Sequence, residues 1–396
     1  MIFCAESYPP FLTLSARVRQ SVVDGLAMLR CYRRPVLFSR VRPGVLTAAA
    51  AALIAISVTV STSCSAPQGT SPTEPAHGVI TSTTKVAGAG VLGNLRRPDQ
   101  SCAPEPAPAE PGPPTRTVSS GTERGDIEVP ADPQRIVALS GDQLDALCAL
   151  GLQTRIVGAA VPDDSDEQPS YLGTVIHDLP PVGVRSAPDA TAIAGTDPDL
   201  ILGSSALTPE SYGEFQSIAP TVFTGTPGAG WADTMRTVGA ATGRAAAAEA
   251  LIAEFTDQAR EVGTTNDARH YQVSVVQLTE TTLRVYGAAN FPADIIAAIG
   301  ADRPAAQRFT DTPFQEVGFD DDFAAADGDI IYVSFASPAA RERATEIMNS
   351  DAWRALSAAQ DNRVYVVNNE VWQTGQGLIA ARGVLEDLRF VNSPIN

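Results

Sequence analysis

All but one of the 28 basic residues are arginine, the exception being Lys85. Guanidinium forks grip carboxylates through paired N–H donors, so an arginine beside a cleft suits a carboxylate-rich ligand. Two arginines fall in expected loops of opposite halves of the folded body: Arg185, in Val182-Gly-Val-Arg-Ser186, and Arg308, followed by Phe309. For each, the ordinary alternative is a surface ion pair. The aromatics Tyr286, Phe291, Phe335 and Trp372 lie in expected second-half loops and either wall a cleft or pack in a core. Catalytic chemistry is thinly represented. The three histidines (77, 177 and 270) stand at no metal-ligand spacing, and no G-x-S-x-G, H-E-x-x-H or P-loop pattern occurs. Asp320-Asp321-Asp322 reads as a solvated face rather than an acid/base pair. Gly88-Ala-Gly-Val-Leu-Gly93 has dinucleotide-loop spacing without the strand and helix such a loop needs, so it reads as chance. No enzyme activity, catalytic cofactor or metal site is expected.

The elements that would position these residues follow from the apolar pattern. Ile136–Leu139 reads as a buried strand, and Ser140-Gly-Asp142 starts a helix carrying Leu144, Leu147, Leu150 and Leu152. Strands at Arg155–Val161, Leu200–Leu202 and Thr221–Thr224 alternate with short helices near Asp189–Ala194 and Pro209–Ile218. The same alternation returns with strands at Gln272–Leu278, Leu283–Tyr286, Ile330–Ser334 and Val364–Val367. Its helices fall at Pro292–Ile299, Ala339–Met348 and Leu378–Leu388. Such alternation predicts parallel α/β sheets. Between the two sets, Trp231–Gly263 repeats apolar or small residues at steps of three and four without a proline, so one long helix of about 48 Å is expected. Gly239 and Gly243 are its weak points. The fold class is therefore α/β, two Rossmann-like lobes (126–230 and 264–396) joined by a linker helix (231–263).

The N-terminal part reads differently. Residues 1–63 hold seven Arg against Glu6 and Asp24, leaving 21 basic and 43 acidic residues, net −22, in the remainder. A body so acidic repels nucleic acid and anionic membrane surfaces. Gly44–Val60 is an uncharged apolar run behind Arg40 and Arg42, ending in Ser61-Thr-Ser-Cys64. Residues 41–63 resemble a lipoprotein signal with Cys64 as the lipidated residue and the lipid as the only membrane contact, although Ser61 stands where such signals favour Leu or Val. A plain secretory signal or an uncleaved anchor is the alternative. Residues 1–40 precede a complete signal and are expected to reflect a mis-assigned start, with Val41 the initiator. Residues 64–125 have the Ser/Thr/Pro-rich composition of a tether, with Val86–Asp99 a less polar stretch suited to docking on the body. Cys102 and Cys148 are the two cysteines left beyond the anchor, which suggests one disulfide in an exported protein; a buried thiol at 148 and a free one at 102 is the alternative.

Several stretches, in this order and spacing, resemble the iron-siderophore-binding proteins of ABC importers, especially ferric-dicitrate-binding lipoproteins. They are Arg135-Ile-Val-Ala-Leu-Ser140, Val182-Gly-Val-Arg-Ser-Ala-Pro188, Asp197-Pro-Asp-Leu-Ile-Leu202, Ile218-Ala-Pro-Thr-Val222, Asp351-Ala-Trp-Arg-Ala-Leu356, Asp361-Asn-Arg-Val-Tyr-Val366 and Val371-Trp-Gln-Thr-Gly375. The resemblance implies two lobes on a rigid helix with little hinge closure. It also implies an ABC permease as partner, its arginines pairing with an acid on each lobe. The second-lobe position is Asp320; the first-lobe position is Thr191, not an acid, with Asp189 two residues away. A ferric chelate, its iron already coordinated, would be clamped by Arg185 and Arg308 and packed by Tyr286 and Trp372. Heme is a close variant, and an envelope interaction protein without ligand is the reading from another class. A monomer is expected.

Overall fold

The computed structural model describes residues 85–228 and 230–392. The expected signal, Cys64, the start at Val41 and residues 64–84 of the tether lie outside the described residues.

The described chain opens with a hairpin, β1 (Lys85–Val86) and β2 (Ala89–Val91), and a second one, β3 (Thr115–Ser119) and β4 (Asp126–Pro130). The first lobe follows as β5 (Ile136–Ala138), α1 (Gly141–Ala149), β6 (Ile156–Val161), α2 (Thr174–His177), β7 (Pro181–Val184), β8 (Ala187–Pro188), α3 (Ala190–Gly195), β9 (Leu200–Ser204), α4 (Tyr212–Gln216) and β10 (Thr221–Thr224). Helices α5 (Trp231–Ala241) and α6 (Ala245–Thr265) lead out of it. The second lobe holds β11 (Val273–Leu278), β12 (Thr282–Tyr286), α7 (Phe291–Ala298), β13 (Phe314–Gly318), β14 (Ile330–Phe335), α8 (Pro338–Met348), α9 (Asp351–Arg354), α10 (Ser357–Gln360), β15 (Val364–Val366) and α11 (Leu378–Leu388). A π-helical turn at Glu370–Thr374 precedes α11. No helix among the described residues is long and apolar enough to cross a membrane.

The first-lobe sheet has the order β10-β9-β5-β6-β7-β8, parallel except for β8, and the second-lobe sheet β1-β2-β15-β14-β11-β12-β13. In the latter β2, β15, β14 and β11 are parallel, β12 runs antiparallel to β11, and β13 runs antiparallel to β12. Strands covered on both faces are predominantly apolar, and β5, β9 and β11 are buried at every residue.

The expected single linker helix is broken. Gly243 takes φ +75 between α5 and α6, and a side chain there would strike Arg116 and the carbonyl of Ala131. Arg244 then turns inward, placing Nη2 2.6 Å from Asp132 Oδ1 and donating from Nε to Ala107 O at 2.8 Å. The apolar stripe survives in α6 itself, where Ala248, Ile252, Phe255, Ala259 and Val262 are buried. Its 21 residues span roughly 32 Å. The helix begins beside the amino ends of the first-lobe strands, at Asp132, and ends just before the amino end of β11. Consequently the carboxyl ends of both sets of parallel strands face each other across the middle of the body.

Residues 85–125, expected as part of a tether, are instead built into the fold. Strand β2 pairs in parallel with β15, and Leu92 N donates to Val366 O at 2.9 Å. Arg96 reaches α11, donating to Gly383 O at 2.6 Å and pairing with Asp387 at 2.5 Å. The chain then crosses to the first lobe, where Asp99 accepts from Thr174 N at 2.8 Å. There Cys102 is joined to Cys148 of α1 by a disulfide, with Cα atoms 4.5 Å apart. Backbone bonds from Ala103 N to Cys148 O and from Ala107 N to Leu150 O continue the attachment. We call residues 85–114 the strap. The docking expected of Val86–Asp99 and the expected Cys102–Cys148 disulfide are both present, so this Pro/Ala/Gly-rich stretch takes its order from edge pairing and a covalent bond rather than from an apolar core of its own.

Candidate functional site

In open α/β sheets ligands sit outside the carboxyl ends of the strands, where the connecting loops diverge. On the first lobe that edge carries Arg185. Its backbone N–H donates to Val161 O at 3.0 Å, holding it immediately past β7 and next to the end of β6. The side chain lies over the start of α1, so close that a Cβ on Gly141 would be 2.6 Å from Arg185 Nη2. Among the described residues the guanidinium makes no hydrogen bond or ion pair, and its buried Nε has no partner. Burial lowers its pKa, and the nearby Tyr171, Asp142, Asp163 and Asp164 oppose that shift without pairing. Two of those acids are engaged elsewhere. Asp142 accepts from Ser140 Oγ and, at 3.1 Å, from Thr234 Oγ1; Asp163 accepts from the Ser186 hydroxyl and, at 3.0 Å, from Ser186 N. A partly desolvated cation with open donors is thus left at the lip.

The second lobe presents a polar network on the facing edge. Gln277, next to last in β11, donates from Nε2 to Asn369 Oδ1 at 2.6 Å, and Asn369 lies just past β15. Gln277 Oε1 accepts from Arg284 Nη1 and from the Tyr286 hydroxyl, both at 3.2 Å. Arg284 also pairs with Glu316 at 3.2 Å and rides 4.6 Å over the ring of Phe314. Gln277 and Arg284 escaped the sequence reading although a signal existed. They are polar residues in apolar strands, and the register sets them directly opposite each other.

The structure corrects three expected ligand contacts. Trp372 is fully buried, stacked on Tyr332 with centroids 4.7 Å apart, and donates from Nε1 to Asp387 Oδ2 at 2.8 Å. It is a core residue. Tyr286 is 8% exposed, its hydroxyl pushed up to about 12 by burial, so it supports the Gln277 network instead of walling a cleft. Arg308 stands at the wrong end of the lobe. It pairs with Asp302 at 2.7 Å, and Asp302 O accepts from Val273 N at the amino end of β11. Of the other aromatics Phe291 is buried, while Phe335 is half-buried at the carboxyl end of β14.

Where a second-lobe docking acid is expected, Asp321 and Asp322 tie down their own turn by accepting from Gly318 N and Ala324 N. Asp320 is exposed and has no partner among the described residues. On the first lobe Thr191 is exposed, and Asp189 caps α3, accepting from Thr191 N at 2.8 Å and Ala192 N at 3.1 Å. No group of three His, Cys, Asp or Glu among the described residues could hold a metal ion.

Beneath the lip the lobes meet through Asp145 of α1, which accepts from Ile379 N at 2.7 Å, Ala380 N at 3.0 Å and Tyr171 Oη at 2.8 Å. A first-lobe carboxylate thereby caps a second-lobe helix. Burial pushes the Asp145 carboxyl up to about 7, against the pull of those three donors; neighbouring Asp142 adds to the push. Between the ordinary carboxyl pKa, about 4, and 7 the native group holds a proton that the unfolded chain has released. Its contribution is therefore complete at low pH and lost as pH rises to about 7. Relative to Asp145→Asn, the unfolding free energy of the unaltered protein should fall across that window and level off above it. Parallel denaturant melts at pH 4 to 8 would read this, and a difference independent of pH would overturn it.

The chain and its fold have counterparts among known proteins. The probable siderophore-binding lipoprotein YfiY of Bacillus subtilis (strain 168) is 29% identical over 288 residues, covering 69% of this chain and 86% of that protein. The Fe(3+) dicitrate-binding periplasmic protein FecB of Escherichia coli (strain K12) is 24% identical over 281 residues, covering 67% and 87%. Staphylococcus aureus SirA, solved with staphyloferrin B, superposes with a TM-score of 0.60 at 24% identity over 69% of this chain and 97% of that one. Residues 136–371, from the first strand of the first lobe to the turn before α11, match the model of the periplasmic binding protein family, and the chain belongs to that family.

Proposed function

We propose that the protein captures a ferric chelate outside the cytoplasm and delivers it to the permease of an ABC importer. In this reading the lipidated Cys64 holds a monomeric body to the cell membrane. The observation that carries the proposal is Arg185, a guanidinium with open donors at the inter-lobe lip of a strongly acidic protein. An anionic chelate supplies the charge that this group lacks, through charge-assisted hydrogen bonds to its oxygen donors. Arg284, Gln277 and Asn369 supply polar groups from the facing lobe. Iron enters as cargo already coordinated, so the protein needs no ligand set of its own. The family membership and the siderophore and ferric dicitrate named for its relatives support the same substrate class. Asp320, with its carboxylate open to solvent, is the second-lobe contact to the permease; the first lobe offers Asp189 beside Thr191.

Trp231 reports on ligand entry, because it opens α5 immediately after the loop at the carboxyl end of β10. It packs edge-on against Phe255 at 5.2 Å. Purified protein titrated with ferric citrate, several ferric siderophores and heme should show saturable quenching by one chelate at micromolar concentration or below. The iron-free form of that chelate should leave the signal unchanged. A flat response across the panel from folded protein would overturn the proposal in favour of an envelope interaction protein.

A further inference from the structure

A cavity of about 450 Å³ opens between the strap, the first-lobe loop at Ser170–Tyr171 and α11. Neither Arg185 nor Arg284 lines it, and most of its lining lies outside the family-matching stretch. Its Leu95, Arg96 and Arg97 precede the family-matching stretch, and its Ile379 and Arg382 follow it. The volume falls within the range of roughly 300–1,000 Å³ usual for small-molecule sites. Leu95 and Ile379 give it an apolar lining, and Leu95 is 77% exposed at its rim.

Its charges are arranged unequally. Arg96 is committed to Asp387, Gly383 O and Glu386, and in return it holds the one acid that lines the cavity, Glu386, at 3.2 Å. Arg97 is exposed and has no partner among the described residues. Among the described residues Arg382 pairs only with Glu254, at 3.6 Å. Two guanidinium groups with free donors therefore stand over an apolar pocket whose own carboxylate is neutralised. That combination selects a ligand with an anionic head and an apolar body, since the fork grips a carboxylate while the pocket covers the hydrocarbon.

We propose that this cavity is a second ligand site, distinct from the chelate cleft, for a small organic carboxylate with an apolar body. Octanoate is the probe, titrated calorimetrically into the purified protein, with octanol and octylammonium as charge controls. One-to-one saturable binding of octanoate, at least tenfold weaker binding of both controls, and at least tenfold weakening in Arg97→Gln/Arg382→Gln are expected. Arg97 is exposed and Arg382 is half-buried with one long ion pair, so the double variant should fold, which circular dichroism would verify. Arg185→Ala should bind octanoate as the unaltered protein does, even though its affinity for the chelate falls. Absence of saturable octanoate binding, equal binding of octanol, or an unaffected double variant would overturn the proposal. So would loss of octanoate binding in Arg185→Ala, which would move the ligand into the cleft.

Discussion

Arg185→Ala is expected to weaken capture of the ferric chelate by about ten- to a hundredfold, whereas Arg308→Ala should leave it unchanged. A hydrogen bond to a charged group contributes about 1.5–3 kcal/mol, and each 1.4 kcal/mol is tenfold in affinity. Arg185 has no hydrogen-bond partner among the described residues to be orphaned by its removal. Its loss also relieves the desolvation of an unpaired cation, so thermal stability should hold or rise while affinity falls. That divergence separates a ligand-gripping group from a structural one. Arg185→Lys should recover only part of the affinity, because an ammonium cannot reproduce a two-pronged grip. Arg308 is the matched control: an exposed pair with Asp302 at the far end of the lobe, worth under about 1 kcal/mol. Calorimetric titration of the three variants with the chelate identified by fluorescence would read all of this. Affinity within twofold of the unaltered protein for Arg185→Ala would remove Arg185 from the site.

The architecture was legible in the sequence where one physical signal dominated. Short, β-branched-rich runs such as Ile136–Ala138 and Val273–Leu278 read as buried strands, and the stripe from Ala248 to Val262 reads as one face of a helix. The site was less legible because residue type does not say which end of a strand a residue occupies. Arg185 and Arg308 look equivalent as loop arginines, yet one lies past the carboxyl end of β7 and the other beside the amino end of β11. Trp372 looked like a loop aromatic because a π-helical turn has no sequence period. Its burial depends on Tyr332 and Asp387, which only the folded lobe brings to it. Arg284 was passed over for the opposite reason, being in a strand where alternation predicts an ordinary exposed side chain; its partner Gln277 is what gives it a role. The break fell at Gly243, one of the two expected weak points; which of the two would yield was set by packing, since a side chain at 243 would strike Arg116.

The strap raises the second large expectation, which concerns stability. Cys102 and Cys148 close a loop of 46 residues that contains both strands of the β3–β4 hairpin and the start of the first lobe. On the chain-entropy account a cross-link of that span stabilises by about 4 kcal/mol, because it restricts the unfolded chain. The double variant Cys102→Ala/Cys148→Ala should therefore melt on the order of 10 °C lower, at 2–4 °C per kcal/mol for a body of this size. Reduction of the unaltered protein should produce the same shift, and reduction of the double variant none. The strap's remaining attachments, from β2 on β15 to Arg96 on α11, do not involve the disulfide and should hold its first part in place. Loss of protection in hydrogen exchange should accordingly concentrate at residues 99–107 and spare 89–92. Equal melting temperatures for oxidised and reduced protein would show that the bond contributes nothing to the fold. Uniform loss of protection along the whole strap would show instead that edge pairing cannot hold without the covalent bond, making the disulfide the feature that turns a tether-like composition into a structural element.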